Sequence, residues 1–459
     1  MSDSVKRPNK RHLVHDSTGT FVQVNRIFII GNRLTRDGII LRELSVKQGD
    51  VVHSDDLPAI LEICKKRLIN TRLFNTVDIR TLELEPQKID LLVDLNERWY
   101  TFPSLIFELS DRNFNEWWQT YNHDFRRVNY GLRLFQYNMR GRNETLRFVA
   151  QFGFVRRFEL AYKFPYIDKK QKQGLVIEMD FSETKNLPFR TLDHKLEFAK
   201  SQDILRVTKG IGLSYTYRNS FYESHAVKAE YRNNSISDTV ATLNPNYLGQ
   251  EHTKQEYAAL TYQFISDHRD YVGYPLRGYY LAANAIKSGL SAGDDLDRLE
   301  SNLTFARFFD LKKGFYLSNN IVGYWSNRKN LPYYNYGAMG YKRNFIRGYE
   351  IYVIEGPRYF FNKTTFKKRI FSRTYHWRAM PIPQFRHIPL SLYLKGYADF
   401  GYVKNYPDYT LNMRLSDKWI SGFGAGIDIV GSYDAVIRFE YTFNAEGERG
   451  FFIHIKKEF

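Results

Sequence analysis

Residues 341–356 read YKRNFIRGYEIYVIEG, and Arg347, Gly348 and Tyr349 form a triplet inside this stretch. The stretch lies in a long loop, about two-thirds of the way along a pattern of strand-length segments. These segments alternate between two faces. In one of them the apolar positions Ile211, Leu213, Tyr215 and Tyr217 are separated by Gly212, Ser214, Thr216 and Arg218. Because side chains of a strand point alternately to opposite faces, this period of two predicts a sheet with one apolar face.

The composition excludes membrane-spanning helices and permits a barrel. Aromatic residues make up 16% of the chain, yet 25% of residues are charged and the mean hydropathy is -0.49. A spanning helix needs about 18 apolar residues or more. The best apolar run here is only Ile27 to Ile30. A transmembrane barrel keeps its mean hydropathy low because lipid-facing and lumen-facing residues alternate along each strand.

The number and spacing of the strands favour a closed membrane barrel over a soluble sandwich. About seventeen candidate strands follow Thr101, and a single-chain bacterial barrel needs an even number, so one of them is wrong. The weakest is Arg190 to Ser201. Aromatic pairs such as Tyr279-Tyr280 mark strand ends, where membrane-interface girdles lie. Short turns such as Leu311 to Gly314 and long loops such as Ser235 to Lys254 match the two unequal ends of such a barrel.

A different pattern precedes the barrel. Phe21 to Ile30 reads as a strand, Thr35 to Ser45 and a segment beginning near Ser54 read as two helices, and Phe74 to Leu84 and Ile89 to Leu95 read as a hairpin. This β-α-α-β-β order predicts a compact unit with two helices on one face of a three-stranded sheet. The predicted domains are a polar leader over 1–20, this small domain over 21–98 and a transmembrane β-barrel over 99–459.

The first residues, the cysteine and the net charge add weaker constraints. Residues 1–20 are basic but have no apolar core, so no export signal is visible in them. Cys64, the single cysteine, lies in a helical apolar stripe and is predicted to pack in a core. The net charge of +17 favours anionic neighbours such as nucleic acid, lipid phosphates or lipopolysaccharide. Nucleic acid is the least favoured of these, because the basic residues are spread over the whole chain.

With Tyr336-Gly337 and Gly340 before it, the Arg347-Gly348-Tyr349 triplet resembles the loop-six signature of the outer-membrane assembly superfamily. This bacterial surface antigen family includes BamA, TamA, two-partner secretion translocators and the mitochondrial sorting and assembly barrel. The N-terminal unit resembles the POTRA module of that family, and the resemblance covers Phe21 to Phe459. It implies a sixteen-stranded antiparallel transmembrane β-barrel, preceded by one POTRA-like domain where BamA has five.

The resemblance also implies a site. In the family, loop six folds back into the lumen, and its arginine meets an acidic residue of the inner wall. The wall residues that match are Asp399, Gly401, Gly424, Gly426 and Asp428. Alternation supports this independently, because Leu394 and Ile427 face lipid and so leave Asp399 and Asp428 facing the lumen. We predict an ion pair of Arg347 with Asp399 or Asp428, and glycines that let the loop approach the wall.

The last strand carries a second signature. Phe451, Ile453, Ile455 and Phe459 share one face and end in an aromatic residue, so the strand resembles the terminal signal strand of bacterial outer-membrane proteins. The family then implies a seam, at which the first barrel strand, near Ser104 to Leu109, pairs weakly with this last strand. The predicted location is the bacterial outer membrane, with the N-terminal domain in the periplasm. A single module also fits the mitochondrial homologue, which stays an alternative.

The sequence favours an assembly or translocation barrel over an enzyme. It has no Gly-rich phosphate loop, no G-x-S-x-G elbow and no His or Cys cluster at ligand spacing, so neither catalysis, a cofactor nor a metal is predicted. A passive pore or transporter barrel is the alternative, but it has no need of a POTRA-like module or an inward Arg-Gly-Tyr loop. The predicted partners are unfolded or secreted protein cargo, outer-membrane lipid and lipopolysaccharide, and accessory subunits at the POTRA-like domain.

Overall fold

The structure is a computed structural model, and it describes residues 20–109, 125, 128–250, 252–341, 344–377, 379–407 and 409–455. The chain divides into two compact units at Glu97 and Arg98, and the short segment Leu34–Arg36 is grouped with the second unit. Among the helices in these ranges, none is both long and apolar enough to cross a membrane.

The N-terminal unit is a four-stranded sheet with two helices. Its elements are β1 Phe21–Ile30, α1 Asp37–Leu41, β2 Val51–His53, α2 Leu57–Asn70, β3 Phe74–Glu85 and β4 Lys88–Glu97. The strands lie in the order β2-β1-β4-β3, and β1 runs parallel to β4. Val24, Ile89 and Leu91 of the sheet pack with Leu57 of α2. Cys64 is buried in α2, as its apolar stripe predicts.

β2 is the one element of this unit that the sequence does not predict. Its three residues pair with Phe21, Val22 and Gln23 at the start of β1. A three-residue edge strand offers too few positions for a period of two to appear, and the preceding Gly49-Asp50 reads only as a turn. The sheet therefore has four strands and not the expected three.

The second unit is a sixteen-stranded antiparallel sheet in which sequence neighbours pair throughout. Its strands are β5 Thr101–Leu109, β6 Val128–Met139, β7 Glu144–Gly153, β8 Val155–Phe164, β9 Gln173–Thr184, β12 Arg206–Arg218, β13 Glu223–Ile236, β14 Lys254–Asp267, β15 Gly278–Ser288, β16 Arg298–Lys312, β17 Phe315–Ser326, β20 Arg358–His376, β21 His387–Lys404, β22 Trp419–Val430, β23 Val436–Asn444 and β24 Arg449–Ile455.

Alternate positions of these strands differ in exposure, which defines an outer and an inner face. On the outer face, Leu105 is 85% exposed, and Ile211 and Leu213 are each 51% exposed. On the inner face, Asp399 and Asp428 are buried. A soluble protein buries most of its apolar side chains and exposes its charges. Here apolar side chains are exposed in rows on the outer face and charged ones are buried on the inner face, as expected of a surface that faces lipid.

Part of the strand pattern lies outside the barrel sheet. β10 Asn186–Leu192 and β11 Lys195–Lys200 form a separate hairpin after β9. Asp193 and His194 have φ of 46° and 61°, as a two-residue hairpin turn requires. The weakest predicted strand, Arg190 to Ser201, falls in this hairpin, which explains the surplus over sixteen. The α-helix and the other strands outside the barrel sheet in this unit are α3 Asp238–Leu243, β18 Ala338–Met339 and β19 Ile354–Glu355.

The barrel has two unequal rims. We define the N-terminal rim as the end at which β5 begins, and the distal rim as the opposite end. The connection between β16 and β17 at the N-terminal rim is only Lys313-Gly314. The distal rim carries longer connections, namely 185–205, 237–253, 327–357 and 405–418. This is the inequality that the spacing of the sequence predicts.

Candidate functional site

Loop six, defined here as residues 327–357 between β17 and β20, turns back onto the inner wall of the barrel. Its residues 342 and 343 lie outside the described ranges. β18 and β19 pair with each other and bring the two arms of the loop together. Gly348 lies between them with φ of 92°, a left-handed conformation that favours glycine, and it makes the turn beside Arg347.

Arg347 is the residue through which loop six meets the wall. Its Nε donates to Oδ2 of Asp399 at 2.8 Å and its Nη2 donates to Oδ1 at 2.5 Å, so the guanidinium holds both carboxylate oxygens. Nη2 also donates to Oγ1 of Thr365 at 3.1 Å, and the guanidinium carbon lies 3.8 Å from the ring centroid of Tyr397. The two charged side chains are 9% and 0% exposed. The contact is a bidentate, charge-assisted pair that is almost free of solvent.

Glycine at two wall positions makes room for the loop. A Cβ atom on Gly422 would lie 1.8 Å from the carbonyl oxygen of Arg347. A Cβ atom on Gly401 would lie 2.7 Å from Cδ1 of Ile346. Any side chain at position 422 would therefore displace the backbone that carries Arg347.

The other predicted wall residues lie on the same inner face but have different neighbours. The hydroxyl of Tyr397 lies 2.7 Å from where a Cβ of Gly424 would stand, and Cε of Lys395 lies 3.1 Å from that of Gly426. Asp428 forms an ion pair with Nζ of Lys395 at 2.5 Å. Of the two acids predicted for Arg347, the structure thus places Asp399 against it and Asp428 farther along the wall.

A chain of charged side chains continues from Arg347 along the wall. Glu440 lies 3.6 Å from Nη1 of Arg347 and 2.8 Å from Nζ of Lys395. Lys395 also pairs with Asp428, whose Oδ2 accepts a hydrogen bond of 2.7 Å from the hydroxyl of Tyr274. Tyr274 belongs to the turn between β14 and β15 at the N-terminal rim. Buried charges therefore link a loop of the distal rim to a turn of the opposite rim.

Lys395 and Glu440 are the members of this site that the motifs do not reveal. Alternation places both on the inner face. An inward charge on a barrel wall is ordinarily solvated, however, and no local signal distinguishes these two, which are 3% and 4% exposed. Segments distant in sequence bury them, because Glu440 lies beside Arg347 of loop six and Lys395 pairs with Asp428, which the Tyr274 turn contacts.

Tyr349, the third residue of the triplet, packs into an apolar cluster. It is buried with Ile346 and Tyr352 of the loop, and the cluster reaches β20 and β21 through Phe361 and Val403. Full burial of one large apolar side chain contributes about 1.5–3 kcal/mol. The cluster therefore retains the loop in the lumen together with the ion pair.

The distal arm of loop six ends in a buried acid without a cation. Glu355 accepts hydrogen bonds from Oγ1 of Thr191 at 2.6 Å and from Nδ2 of Asn412 at 3.1 Å. No ion pair of Glu355 occurs among the described residues, and the tyrosines Tyr333 and Tyr409 also face it. Burial is the main cause that raises the pKa of Glu355 to about 7, although the hydrogen bonds oppose it.

His194, in the β10–β11 turn, is the second buried titratable group of this region. Its Nε2 accepts a hydrogen bond of 2.8 Å from the backbone N–H of Leu415, and its carbonyl accepts one of 2.8 Å from the N–H of Val353. Burial, aided by the positive charge of Arg414, lowers the pKa of His194 to about 4. We name this junction of the β10–β11 hairpin, loop six and the 405–418 loop the distal cap.

The barrel sheet ends at β5 and β24. Every other pair of neighbouring barrel strands is joined by a hydrogen-bond ladder, but the described parts of these two strands share none. Phe451 and Ile453 point outward and are 60% and 56% exposed. The backbone of Ile455 pairs with Ile437 of β23. The predicted terminal residue Phe459 lies outside the described ranges.

The turn between β22 and β23 packs against the start of β5. The ring centroid of Tyr433 lies 5.7 Å from that of Phe102, and its hydroxyl accepts a hydrogen bond of 3.3 Å from the N–H of Trp99. Arg98 lies 3.6 Å from Asp434. Tyr433 and Asp434 have φ of 57° and 63°. Left-handed non-glycine residues cost about 1–3 kcal/mol each, so these contacts hold the turn in a strained shape.

Comparisons with known proteins agree with both units. Residues 138–459 match the Omp85 superfamily domain, and residues 22–98 match the POTRA family described as surface antigen variable number repeat. The outer membrane protein assembly factor BamA of Nitratidesulfovibrio vulgaris is 33% identical over 78 residues, which are 17% of this chain and 9% of that protein. The chain thus matches less than a tenth of the length of this relative.

Two solved structures share the fold over 95% of this chain. BamA from Haemophilus ducreyi lacking POTRA domains 1-3 has a TM-score of 0.53 and 14% identity, with 84% of its chain covered. CdiB from Escherichia coli has a TM-score of 0.55 and 12% identity, with 76% covered. At these identities the likeness concerns the fold alone.

A small domain of helices and a β-sheet, followed in the sequence by a sixteen-stranded barrel with an inward loop, defines the class of POTRA-bearing outer-membrane β-barrels. Within that class the chain belongs to the Omp85 superfamily, whose model matches well over half of it. The protein therefore lies in the outer membrane with its N-terminal domain in the periplasm. Because β5 follows that domain directly, the N-terminal rim is the periplasmic end of the barrel.

Proposed function

We propose that this barrel assembles proteins into the outer membrane or translocates them across it, by opening between β5 and β24. The observation that carries the proposal is that the described parts of β5 and β24 share no hydrogen-bond ladder. Unpaired edges of this kind accept an incoming strand. Each strand-strand hydrogen bond that need not be broken lowers the cost of opening by about 1 kcal/mol, so this seam should part before any other strand pair.

In this proposal the triplet and the wall form the anchor of loop six. Arg347 and Asp399 hold the loop electrostatically, Tyr349 holds it by packing, and Gly348 and Gly401 permit the close approach. Gly424, Gly426 and Asp428 complete the wall beside it. The terminal strand supplies one edge of the seam, with Phe451 and Ile453 in its lipid-facing row. The sequence pattern assigns Ile455 and Phe459 to the same row, but the side chain of Ile455 and all of Phe459 lie outside what the structure describes.

Two further observations favour this function over a passive pore. The relative from Nitratidesulfovibrio vulgaris is named an outer membrane protein assembly factor. The lumen is occupied by loop six and its apolar cluster, which a conducting pore would have to expel. Passive conduction also does not require a network of buried charges that extends from one rim toward the other.

The proposal assigns a role to each segment and its partners. Residues 1–20 form a polar leader, residues 21–98 the periplasmic module and residues 99–459 the membrane barrel. Unfolded or secreted protein is the cargo at the seam, and accessory subunits bind the module. Lipid and lipopolysaccharide surround the outer face.

The test is to close the seam covalently. Phe102→Cys and Tyr433→Cys, in a Cys64→Ala background, are joined with a cleavable bismaleimide, which ties the start of β5 to the β22–β23 turn across the seam. Proteoliposomes then receive an unfolded eight-stranded outer-membrane barrel as the probe. We expect the uncross-linked protein to accelerate folding of the probe, the cross-link to abolish that acceleration, and cleavage to restore it.

The matched control places the same cross-linker between Ile211→Cys and Tyr231→Cys. These outward residues are paired neighbours on β12 and β13, away from the seam. The control should leave the acceleration unchanged. Acceleration that survives the Phe102–Tyr433 cross-link would overturn lateral opening, and ion conductance without any acceleration would favour the passive pore.

A further inference from the structure

The hairpin between β20 and β21 extends past the N-terminal rim. β20 pairs with β17 only as far as Lys368, and β21 pairs with β22 only from Ser391. The two strands continue to pair with each other as far as His376 and His387. Residues 369–377 and 379–390 therefore project beyond the neighbouring strands, and we call them the basic hairpin.

The sequence around this hairpin contains no acid. The chain has 50 Asp and Glu in 459 residues, yet none occurs from Gly356 to Ala398. The basic residues of that interval are Arg358, Lys363, Lys367, Lys368, Arg369, Arg373, Arg378, Arg386 and Lys395. A hairpin drawn from this interval carries uncompensated positive charge to the periplasmic end of the barrel.

Several of these cations are available at the rim. Arg373 is exposed and stands opposite Leu390 on the outward face, and the ion pairs formed within the described ranges do not include it. Lys368 stands opposite Leu394 on the same face, with its Nζ 2.8 Å from the carbonyl oxygen of Lys313. Lys312 ends β16 and Lys313 follows it in the adjacent turn. Arg369 is not included, because it stands opposite the buried Tyr393 on the inner face. Lys312, Lys313, Lys368 and Arg373 place four cations at this part of the rim, and we call them the patch.

The acid nearest to this patch in sequence is already engaged. Asp310 pairs with Arg277, and its Oδ1 accepts a hydrogen bond of 2.7 Å from the backbone N–H of Lys312. The patch therefore keeps its positive charge. It fits a partner that carries negative charge.

The outer face of the hairpin continues the lipid-facing surface of the barrel. Phe371, Arg373 and Tyr375 stand opposite Leu392, Leu390 and Ile388 of β21 in the ladder. Residues directly opposite each other lie on the same face of a sheet, and this face is the outward one. Tyr375 is 49% exposed and Trp377, at the end of β20, is 55% exposed. Aromatic rings interspersed with arginine at the end of a lipid-facing row are typical of the membrane–water interface.

We propose that the basic hairpin and the Lys312-Lys313 turn bind the anionic phosphate headgroups of the periplasmic leaflet. The aromatic side chains insert at the headgroup level, and the arginine guanidinium groups take phosphate oxygens bidentately. Clusters of several cations beside a membrane-spanning element attract anionic lipid. The surface would enrich anionic lipid at β20–β21 and fix the depth of that side of the barrel.

Trp377 reports on this site directly. The protein is reconstituted in phosphatidylcholine vesicles that contain an equal mole fraction of either chain-brominated phosphatidylglycerol or chain-brominated phosphatidylcholine. The signal of Trp377 is the difference between the wild-type protein and Trp377→Phe. We expect brominated phosphatidylglycerol to quench it several-fold more strongly, and Lys368→Gln with Arg373→Gln to bring the quenching by the two lipids close to equal.

The matched control is Lys169→Gln with Lys170→Gln, which removes the same charge from another turn of the same rim. It should leave the preference at Trp377 unchanged, and a heat-modifiability gel confirms that each variant is folded. Equal quenching by the two lipids, or equal loss in the control, would overturn the site. If neither lipid quenches Trp377 and added polyglutamate shifts its emission, the surface binds acidic polypeptide, which also overturns the lipid assignment.

Discussion

On the inner wall of β9, β12 and β13, Arg232 pairs with Asp180 and Lys228 pairs with Glu178, and their side chains are 26–33% exposed. On the inner wall of β20 to β23, Arg347 pairs with Asp399 and Lys395 with Asp428, and their side chains are at most 9% exposed. Both regions combine an arginine and a lysine with carboxylates. The difference is that loop six covers Asp399 and the turn carrying Tyr274 covers Asp428 in the second region, which we call the covered wall, while the first, the open wall, keeps contact with solvent.

Glycines show the same contrast. On the open wall, a Cβ of Gly210 would meet Nη1 of Arg232 at 2.5 Å, so the glycine makes room for a side chain of the adjacent strand. On the covered wall, Gly422 makes room for the backbone of Arg347. A glycine in a barrel strand therefore does not by itself reveal whether a loop crosses it. The comparison teaches that desolvation by the loop, and not residue type, should decide how much a wall charge contributes.

The largest effect should follow from Arg347→Ala on the covered wall. The substitution leaves Asp399 buried without a cation, and removal of one member of a buried pair costs about 3–5 kcal/mol. The free energy of unfolding, measured by denaturant titration of the protein in vesicles, should fall by that amount. A double-mutant cycle with Asp399→Ala should show that the two losses are strongly non-additive.

Additive losses in that cycle would contradict the pairing of Arg347 with Asp399. A cycle of Arg347→Ala with Lys368→Ala is the control, because Lys368 is a cation of the N-terminal rim. It should show no coupling with Arg347.

A second effect concerns the distal cap, where Glu355 is buried without an ion pair to any residue that the structure describes. The pKa of Glu355, about 7, is above its ordinary value, so this group stabilises the cap at low pH and the stabilisation is lost as pH rises from about 4.5 to about 7. The pKa of His194, about 4, is below its ordinary value, so the cap loses stability as pH falls from about 6.5 to about 4. Titration of each group changes the stability of the cap by about 3 kcal/mol. Between pH 4.5 and 6.5 these two changes have opposite signs.

Glu355→Gln removes one of the two titrating groups, so the pH dependence of the stability of the cap should then be that of His194 alone. In this variant the stability of the cap should rise with pH up to about 6.5 and then stay level. In the wild type the stability of the cap should be nearly constant from about pH 4.5 to about 6.5, and it should then fall up to about pH 7. Hydrogen exchange at the amides of Val353 and Leu415, corrected for intrinsic rates, measures the opening of the cap. Peptides from α2 serve as the reference, and identical pH profiles for the two proteins would remove Glu355 from this role.

The smallest effect should come from the open wall. Arg232→Ala should lower the free energy of unfolding by about 0–1 kcal/mol, because its pair with Asp180 is partly solvated. The cycle of Arg232→Ala with Asp180→Ala, in the same vesicles, should show weak coupling. Coupling as strong as that of Arg347 with Asp399 would mean that the loop is not what distinguishes the two walls.

The sequence by itself determined the architecture. A period of two residues is a local property, so it predicts the strands, the inward direction of Asp399 and Asp428, and the outward row of Phe451 and Ile453. The β-α-α-β-β unit was predictable for the same reason. Local patterns failed where an element was short or lay outside the main sheet, as in β2 and the β10–β11 hairpin.

Tertiary structure alone decided which charges are buried and which acid Arg347 meets. Lys395 and Lys228 are equally inward by alternation, but Lys395 is buried on the covered wall whereas the side chain of Lys228 is 26% exposed on the open wall. Asp399 and Asp428 are equally suitable acids, and the backbone path over Gly422 brings the guanidinium to Asp399. The physical reason is that desolvation and ion pairing depend on chain segments far apart in sequence, and the position of a loop in a lumen leaves no periodic trace in the strands it covers.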